Sequence, residues 1–230
     1  MAPGRDCRLC PRLADFRDTA RRAHAGWHNA PVASFGPADA RLLIVGLAPG
    51  LRGANRTGRP FTGDFAGDLL YATLGEFGFA AGTYAARPDD GLSLIDCRIT
   101  NAVRCVPPAN RPTAAEVASC RPFLGAEIAG LPRLRVVLAL GRIAHDAVLR
   151  TLGHRLSAHP FGHGARHRPA AGPMIADSYH CSRYNTNTGR LTEAMFREVF
   201  TGVRAALDGG GRLSPCRASA SASGGPSRAP

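Results

Sequence analysis

Short runs of apolar residues alternate along the chain with amphipathic stretches of helical period. Four of the runs have the length of buried strands, and they lie within residues 41–47, 92–105, 135–141 and 173–180. Stretches with an apolar residue every three to four positions stand between and after them, and Thr113 and Thr192 are placed to cap two of these helices. This alternation predicts a four-stranded parallel sheet between helical layers, a three-layer α/β/α sandwich.

The length of 230 residues suits a single α/β domain, which we expect to span residues 1–208. Residues 209–230 are rich in glycine and serine and poor in large apolar residues, so they predict a disordered tail. The N-terminus lacks the apolar segment of a signal peptide, and the apolar runs are far shorter than the ~20 residues of a membrane span. We therefore expect a cytoplasmic protein with no membrane partner.

The charge of the chain favours an acidic polymer as its partner. The formal net charge is +12, and every basic side chain apart from histidine is arginine, because the sequence contains no lysine. Such a balance indicates nucleic acid before a membrane surface. The glycine-rich segment 46–64 follows the first strand, but without lysine it is not a P-loop, and its glycine spacing differs from the dinucleotide fingerprint. No nucleotide cofactor is expected.

Three unusual segments come directly after predicted strands. They are the glycine-rich segment 46–64, the proline-flanked segment 100–112 and the polar segment 180–190. In a parallel sheet the carboxyl ends of the strands share one edge, and ligands bind there. The three segments are therefore expected to converge on one site.

Four of the seven cysteines have a pattern that indicates a metal centre. Cys7 and Cys10 form a C-x2-C pair, and Cys105 and Cys120 lie 15 residues apart. Four thiolates suit zinc or an iron–sulfur cluster, although the wide second pair is unlike the tight knuckles of a zinc ribbon. Four unrelated reduced thiols are the alternative.

Several ordered motifs together resemble a known family. "GLAPG", "GRPFTGD", "TNAVRCVPPANRP" and "SYHCSRYNTNTGRL", with the four spaced cysteines, look like the uracil-DNA glycosylase superfamily, and within it the iron–sulfur family 5 enzymes. The resemblance runs from Cys7 to about Leu207. It implies a monomeric repair enzyme that flips uracil, and also hypoxanthine or xanthine, out of DNA and hydrolyses the N-glycosidic bond. It also implies a structural 4Fe-4S cluster on Cys7, Cys10, Cys105 and Cys120.

The resemblance assigns roles to residues around the expected site. The main chain of Ala48, Pro49 and Gly50 lies against the flipped base, which stacks on Phe61 and is read by the amide of Asn101. His180 stabilises the negative charge that develops on the leaving base. The position that carries a polar catalytic residue in sister families is Leu47, so Asp64 is the expected general base, with Asp68 as the second choice.

Other residues are expected to contact the DNA backbone. Arg56 and Arg59 in the glycine-rich segment reach phosphates, and Ser182, Tyr184 and Asn185 lie in a loop that enters the minor groove. His159, His163 and His167 have helical spacing, but glycine and proline interrupt their segment, so no metal site is predicted there.

The absence of lysine also limits the chemistry. Glycosylases that cleave the strand use an amine, usually of lysine, so this chain is expected to be monofunctional. Three other readings stay open. They are a relative that binds uracil-DNA or traps it covalently, a non-enzymatic iron–sulfur module that binds nucleic acid, and a phosphate-ester hydrolase.

Overall fold

A five-stranded sheet forms the centre of the protein in the computed structural model, which describes residues 2–209. The strands in chain order are β1 (Leu42–Gly46), β2 (Ala80–Ala81), β3 (Ser93–Leu94), β4 (Cys97–Asn101), β5 (Val136–Leu140), β6 (Arg166–His167) and β7 (Met174–Ser178). The sheet has the order β4-β1-β5-β7-β6, in which the first four strands are parallel and β6 is antiparallel to β7. The four predicted parallel strands are therefore present, with one short edge strand added.

Helices cover both faces of this sheet. They are α1 (Pro11–Ala23), α2 (Ala54–Thr57), α3 (Phe65–Glu76), α4 (Ala114–Ala129), α5 (Arg142–Thr151), α6 (Arg183–Asn187) and α7 (Glu193–Asp208). Successive side chains of a strand point to opposite faces, so Leu42 and Ile44 pack with α3 and α7, whereas Leu43 and Val45 pack with α4 and α5. The predicted three-layer sandwich is confirmed. Within the described residues no helix is long and apolar enough to cross a membrane.

The capping residues in the sequence predict the starts of α4 and α7 correctly. Thr113 and Glu116 form a complete capping box at the start of α4, and the Thr192 hydroxyl accepts the Met195 N–H at the start of α7. The buried stripe of α7 follows the predicted spacing and contains Phe196, Val199, Phe200, Val203 and Leu207.

The single strand predicted over 92–105 is wrong. Ser93–Leu94 forms a small antiparallel ladder with Ala80–Ala81, and the central strand begins only at Cys97. Asp96 between them has a left-handed backbone with φ +53°, and its carboxylate accepts hydrogen bonds from Arg41. The turn at Asp96 therefore separates two strands that a continuous apolar pattern joins.

Residues 210–230 lie outside the described residues, and the predicted disordered tail falls almost entirely within them. The last helix ends at Asp208, with Gly209 as its C-terminal cap. The domain boundary predicted at residue 208 thus coincides with the end of α7.

Candidate active site and cysteine centre

A cavity of about 630 Å³ opens at the carboxyl edge of the parallel strands. The three predicted segments converge on it and contribute Leu47, Ala48, Pro49, Gly50, Phe61, Asp64, Asn101, Asn110, His180, Ser182 and Tyr184. The turn between β5 and α5 forms the remaining wall with Leu140–Ala144, which sequence reasoning missed because this turn carries no unusual polar motif. The cavity is large enough for a heterocyclic base with its sugar.

The glycine-rich segment wraps closely around the carboxylate of Asp64. A Cβ added to Gly53 would lie 1.9–2.1 Å from the Asp64 carboxyl group, and one added to Gly50 would lie 2.5 Å from its Oδ1. The Ala54 N–H donates to Asp64 Oδ2 over 3.4 Å. Glycine is therefore required at both positions so that the main chain can approach the carboxylate.

Asp64 precedes α3 at the N-cap position, as the sequence predicts, but its side chain makes no capping hydrogen bond to that helix. The carboxylate turns into the glycine-rich segment and lines the cavity instead. Burial raises the pKa of Asp64, and the main-chain N–H groups of Ala54 and Gly50 oppose this rise. Arg56 acts in the same opposing direction by its charge. A carboxylate of raised pKa is a better proton acceptor than one in water.

Gly46 allows two predicted base-binding residues to meet. It pairs with Asn101 across the β1–β4 ladder, and a Cβ on Gly46 would lie 2.4 Å from Asn101 Oδ1 and 2.6 Å from Phe61 Cζ. Asn101 is only 3% exposed, and its Oδ1 has no hydrogen-bond partner among the described residues. A buried amide oxygen without a partner costs about 1–3 kcal/mol, so this atom is a place for a ligand donor.

The backbone of Phe61 is held in an unusual conformation. Its φ is +57°, in the left-handed region that a bulky residue rarely adopts. Gly67 of α3 packs so closely on the Phe61 carbonyl that a Cβ there would lie 1.9 Å from its oxygen, and the Tyr84 hydroxyl also reaches this oxygen at 3.4 Å. These contacts fix the phenyl ring at the cavity wall.

His180 stands opposite Phe61, with ring centroids 5.8 Å apart and the ring planes 24° from parallel. Removal from solvent lowers the pKa of His180 to about 4. The imidazole is therefore neutral near pH 7, with one ring nitrogen that carries a proton and one that does not. The Asn185 amide donates to the His180 carbonyl over 2.8 Å and braces this segment.

The residues predicted to contact DNA differ in how accessible their side chains are. Arg56 is exposed, Tyr184 is 72% exposed, and Ser182 borders the cavity mouth, so all three can reach DNA. Asn185 is half-buried and its amide is engaged with the main chain of His180. Sequence reasoning missed Arg142, at the turn between β5 and α5, and Arg183, in the polar segment 180–190, which both line the cavity.

The prediction that Arg59 contacts phosphate is wrong. Its guanidinium donates to both carboxylate oxygens of Asp90 over 2.8 and 2.7 Å, and Arg59 is only 5% exposed. The same group lies over the rings of Phe35, Tyr71 and Tyr84. Arg59 therefore holds the glycine-rich segment to the core and does not reach DNA.

We expect Arg59→Ala and Arg56→Ala to affect different properties. Loss of Arg59 leaves the carboxylate of Asp90 buried without its cation, so the free energy of unfolding should fall by about 3–5 kcal/mol. Loss of Arg56 should leave stability unchanged and weaken DNA binding with a shallower salt dependence. Thermal or urea unfolding measures the stability of each variant, and binding at several salt concentrations measures its affinity for DNA. Equal stability of the two variants would contradict this assignment.

Cys7, Cys10, Cys105 and Cys120 line one small cavity between α1 and α4. Cys105 and Cys120 are 9% and 8% exposed and pack against Leu13 and Val103. Burial raises the pKa of Cys105 to about 11, so these thiols ionise only when a cation replaces their protons.

A buried cation lies beside two of the four cysteines, Cys105 and Cys7. Arg17 is 1% exposed, its Nη1 lies 3.8 Å from Cys105 Sγ, and its Nε has no hydrogen-bond partner. In the part of the chain that the structure describes, no carboxylate pairs with Arg17. An isolated buried charge is costly, so an anionic thiolate centre is the counter-ion that this site fits.

The cysteine sulfurs are not arranged for a single ion. Among the described residues, the group that brings three ligand atoms within 4.8 Å of one another contains His145, His167 and Asp177, and no cysteine. The four cysteines therefore share one cavity without forming a compact set of three ligand atoms among the described residues.

The fold and the cavity together define a class of protein. A parallel α/β sheet ends at a base-sized pocket with a half-buried carboxylate, an unpartnered amide and a neutral histidine, and the net charge is +12. This combination is that of an α/β protein that takes a nucleic-acid base into a pocket and acts on it.

Comparison with known proteins gives the family. The sequence model of the uracil DNA glycosylase superfamily matches residues 33–204. A protein named Type-5 uracil-DNA glycosylase from Thermus thermophilus is 49% identical over 199 residues, 84% of this chain and 90% of its own length. Proteins of the same name from Pyrobaculum aerophilum and Mycobacterium leprae are 43% and 45% identical, over 89% and 84% of this chain and 90% and 88% of theirs. The chain belongs to the uracil-DNA glycosylase superfamily.

Proposed function

We propose that this protein is a monofunctional uracil-DNA glycosylase, which hydrolyses the bond between a flipped base and its deoxyribose and leaves an abasic site. The observation that carries the proposal is the cavity in which Asp64, Asn101 and His180 face one volume from three different strand ends. The names of the relatives that are 43–49% identical support the same activity. The enzyme would act in the cytoplasm on chromosomal DNA, as a monomer that starts base excision repair.

The base would be held by stacking and by one amide. Phe61 offers a ring that the glycine-rich segment and α3 hold in place, and stacking of a base on it contributes about 1–3 kcal/mol. The unpartnered Oδ1 of Asn101 would accept the imide N–H of uracil. Ala48, Pro49 and Gly50 line the cavity, and their main chain would lie against the flipped nucleotide.

The reaction breaks the C1′–N bond, and the electron pair leaves with the base. The sugar becomes positively charged and the base negatively charged, so the two sides need opposite partners. Asp64 would stabilise the sugar cation and accept a proton from the water whose oxygen bonds to C1′. His180 would donate a hydrogen bond to the anionic base, and the proton from Asp64 would restore the neutral base.

A wider substrate range than uracil follows from the apolar wall of the cavity. Leu47 and Ala48 occupy positions that offer no side-chain hydrogen bond to a base edge, and the volume is about 630 Å³. A purine would fit in the same space. We therefore include hypoxanthine and xanthine in the proposal.

Contacts with the duplex would come from the rim of the cavity. Arg56 is an exposed residue of the glycine-rich segment and would contact a phosphate, and Ser182 and Tyr184 at the cavity would contact the minor groove. Phe65, Ile143 and Tyr184 are exposed apolar side chains that line the mouth. Such side chains fill the space that a flipped base leaves in the stack.

The cofactor in this proposal is a 4Fe-4S cluster on Cys7, Cys10, Cys105 and Cys120. A cluster of this kind supplies a rigid cross-link, and here it would join the N-terminal segment to the β4–α4 connection and to α4. This connection begins directly after Asn101. The cysteines would therefore support the base-reading residue through the backbone, without contact with the base.

We expect Arg17→Met to weaken retention of the cluster. The methionine has a similar length but removes the cation beside Cys105, and changes in groups next to metal ligands lower affinity by about 10–100-fold. Iron content and the rate of loss of visible absorption in the presence of a chelator measure this. Arg8→Met is the matched control, because Arg8 lies between Cys7 and Cys10 in the sequence but its side chain is exposed and paired with Asp18. Equal iron loss in the two variants would contradict a charge role for Arg17.

One assay separates the proposed activity from the alternatives. The holoenzyme is incubated with a uracil-containing duplex and part of the sample is then treated with alkali. Strand breaks that need alkali indicate base release without strand cleavage, as expected from a chain without lysine. A covalent band that resists alkali would indicate trapping, and intact DNA with a band shift would indicate a binding protein. Either of these two results overturns the proposal.

A further inference from the structure

A buried group of two histidines and one aspartate joins α5, β6 and β7 at one edge of the sheet. His145 lies on α5, His167 on β6 and Asp177 on β7, and their ligand atoms all lie within 4.8 Å of one another. His145 is 1% exposed and Asp177 is fully buried. None of these residues lines the candidate active-site cavity.

The distances place both histidines on the same carboxylate. His145 Nδ1 lies 2.7 Å from Asp177 Oδ1, and His167 Nε2 lies 3.0 Å from Asp177 Oδ2. Asp177 has no arginine partner among the described residues. Two imidazoles and one carboxylate therefore offer one ligand atom each to a common point.

The surroundings of the group are those that metal ligands have. His145 Nε2 lies 2.9 Å from the carbonyl oxygen of His159, so an Nε2–H donated there leaves Nδ1 as the atom that binds a cation once it loses the proton it donates to Asp177 Oδ1. The Gly162 N–H reaches Asp177 Oδ2 at 3.4 Å. Metal-binding histidines usually donate their second N–H to a carbonyl or carboxylate in this way, which fixes the ring and its tautomer.

From this geometry we infer that His145, His167 and Asp177 form a second metal site, which binds a zinc-class divalent cation. Nitrogen and carboxylate ligands in this ratio suit zinc, whereas magnesium and calcium prefer sites made of oxygen alone. On binding, the Nδ1 proton of His145 is released to solvent, and the proton of His167 moves to Nδ1 so that Nε2 can bind. No electron is transferred.

The site would hold the segment between α5 and β7 onto β7, the strand that ends two residues before His180. His167 and the carbonyl of His159 belong to this segment, and Asp177 lies three residues before His180. Phe161 and Gly162 of the same segment line a smaller cavity of about 240 Å³ together with His180. The cation would cross-link this segment to β7 close to His180 and would have a structural role.

The test measures zinc and its ligands in the holoenzyme purified from zinc-supplemented medium. We expect about one zinc per chain besides the iron, and an X-ray absorption spectrum at the zinc edge with a shell of nitrogen and oxygen at about 2.0–2.1 Å. His167→Gln, at the most exposed of the three ligands, should lower the zinc content at least about tenfold. His154→Gln is the control, because His154 lies in the neighbouring loop outside the group and should leave the zinc content unchanged.

Three results would overturn the second site. One is purified protein that neither contains zinc nor takes it up on titration. Another is a zinc shell of sulfur at about 2.3 Å, which would place the ion on the cysteines. The third is a normal zinc content in folded His167→Gln protein. Asp177→Asn provides a second variant with a weaker ligand at the same position. Circular dichroism shows whether each variant is folded, and the zinc content is measured directly, so its outcome is read separately from the glycosylase assay.

Discussion

Asp64→Asn is expected to slow single-turnover release of uracil by about 10²–10⁴-fold, the range for loss of a general base. The amide keeps the shape that Gly50 and Gly53 surround, so the cavity should survive, but it neither accepts a proton nor stabilises a sugar cation. Burial raises the pKa of Asp64, so the wild-type rate should fall as the pH decreases through a value above the ordinary carboxyl range. Binding of the lesion should persist, because Phe61 and the phosphate contacts remain.

The matched control for Asp64 is Asp68→Asn. Asp68 lies one turn further along α3, is exposed, and does not line the cavity, so its variant should keep the wild-type rate. Rapid-quench measurements with uracil and with hypoxanthine should show the same loss for Asp64→Asn on both bases, because the sugar chemistry is common to them. A near-normal rate for Asp64→Asn would reduce this residue to a structural role. A large loss for Asp68→Asn would identify Asp68, the second candidate from the sequence, as the general base.

Features that depend on neighbouring residues were predictable from the sequence. The capping box of Thr113 and the stripe of α7 are set by spacing within one helix, so they appear where the pattern places them. The convergence of the candidate residues also follows from the pattern. Gly46 and Asn101 end parallel neighbouring strands, and parallel ends share an edge.

The errors concern partners that are distant in the chain. Arg59 was taken for a phosphate ligand because its partner Asp90 lies 31 residues away and no pattern links the two. The edge strand β6 was missed because two residues flanked by glycine and proline carry no alternation. The His145–His167–Asp177 group was missed because its members belong to three elements, whereas the helical spacing of His159, His163 and His167 has no structural meaning in a segment without a helix.

His180→Ala is expected to lower the single-turnover rate on uracil by about 10²–10³-fold, the range for loss of one donor to a developing anion. The wild-type His180 imidazole has a pKa of about 4, so it is neutral from about pH 5 upward. The wild-type rate should therefore stay level from pH 6 to 8, where an ordinary histidine with a pKa of about 6.5 would lose its proton. A rate that falls through this range as the pH rises would show that the charged form is needed.

Comparison of two bases separates the role of His180 from that of Asp64. The donor of His180 is proposed to act on the O2 oxygen of uracil, which hypoxanthine lacks, so His180→Ala should lose more activity on uracil than on hypoxanthine. Asp64→Asn should lose equal amounts on both. Asn185→Ala is a useful third variant, because it removes only the hydrogen bond to the His180 carbonyl. It should lose less activity than His180→Ala, and the loss should again be larger on uracil than on hypoxanthine. Equal losses of His180→Ala on both bases would mean that the ring shapes the cavity opposite Phe61 and takes no part in stabilising the leaving base.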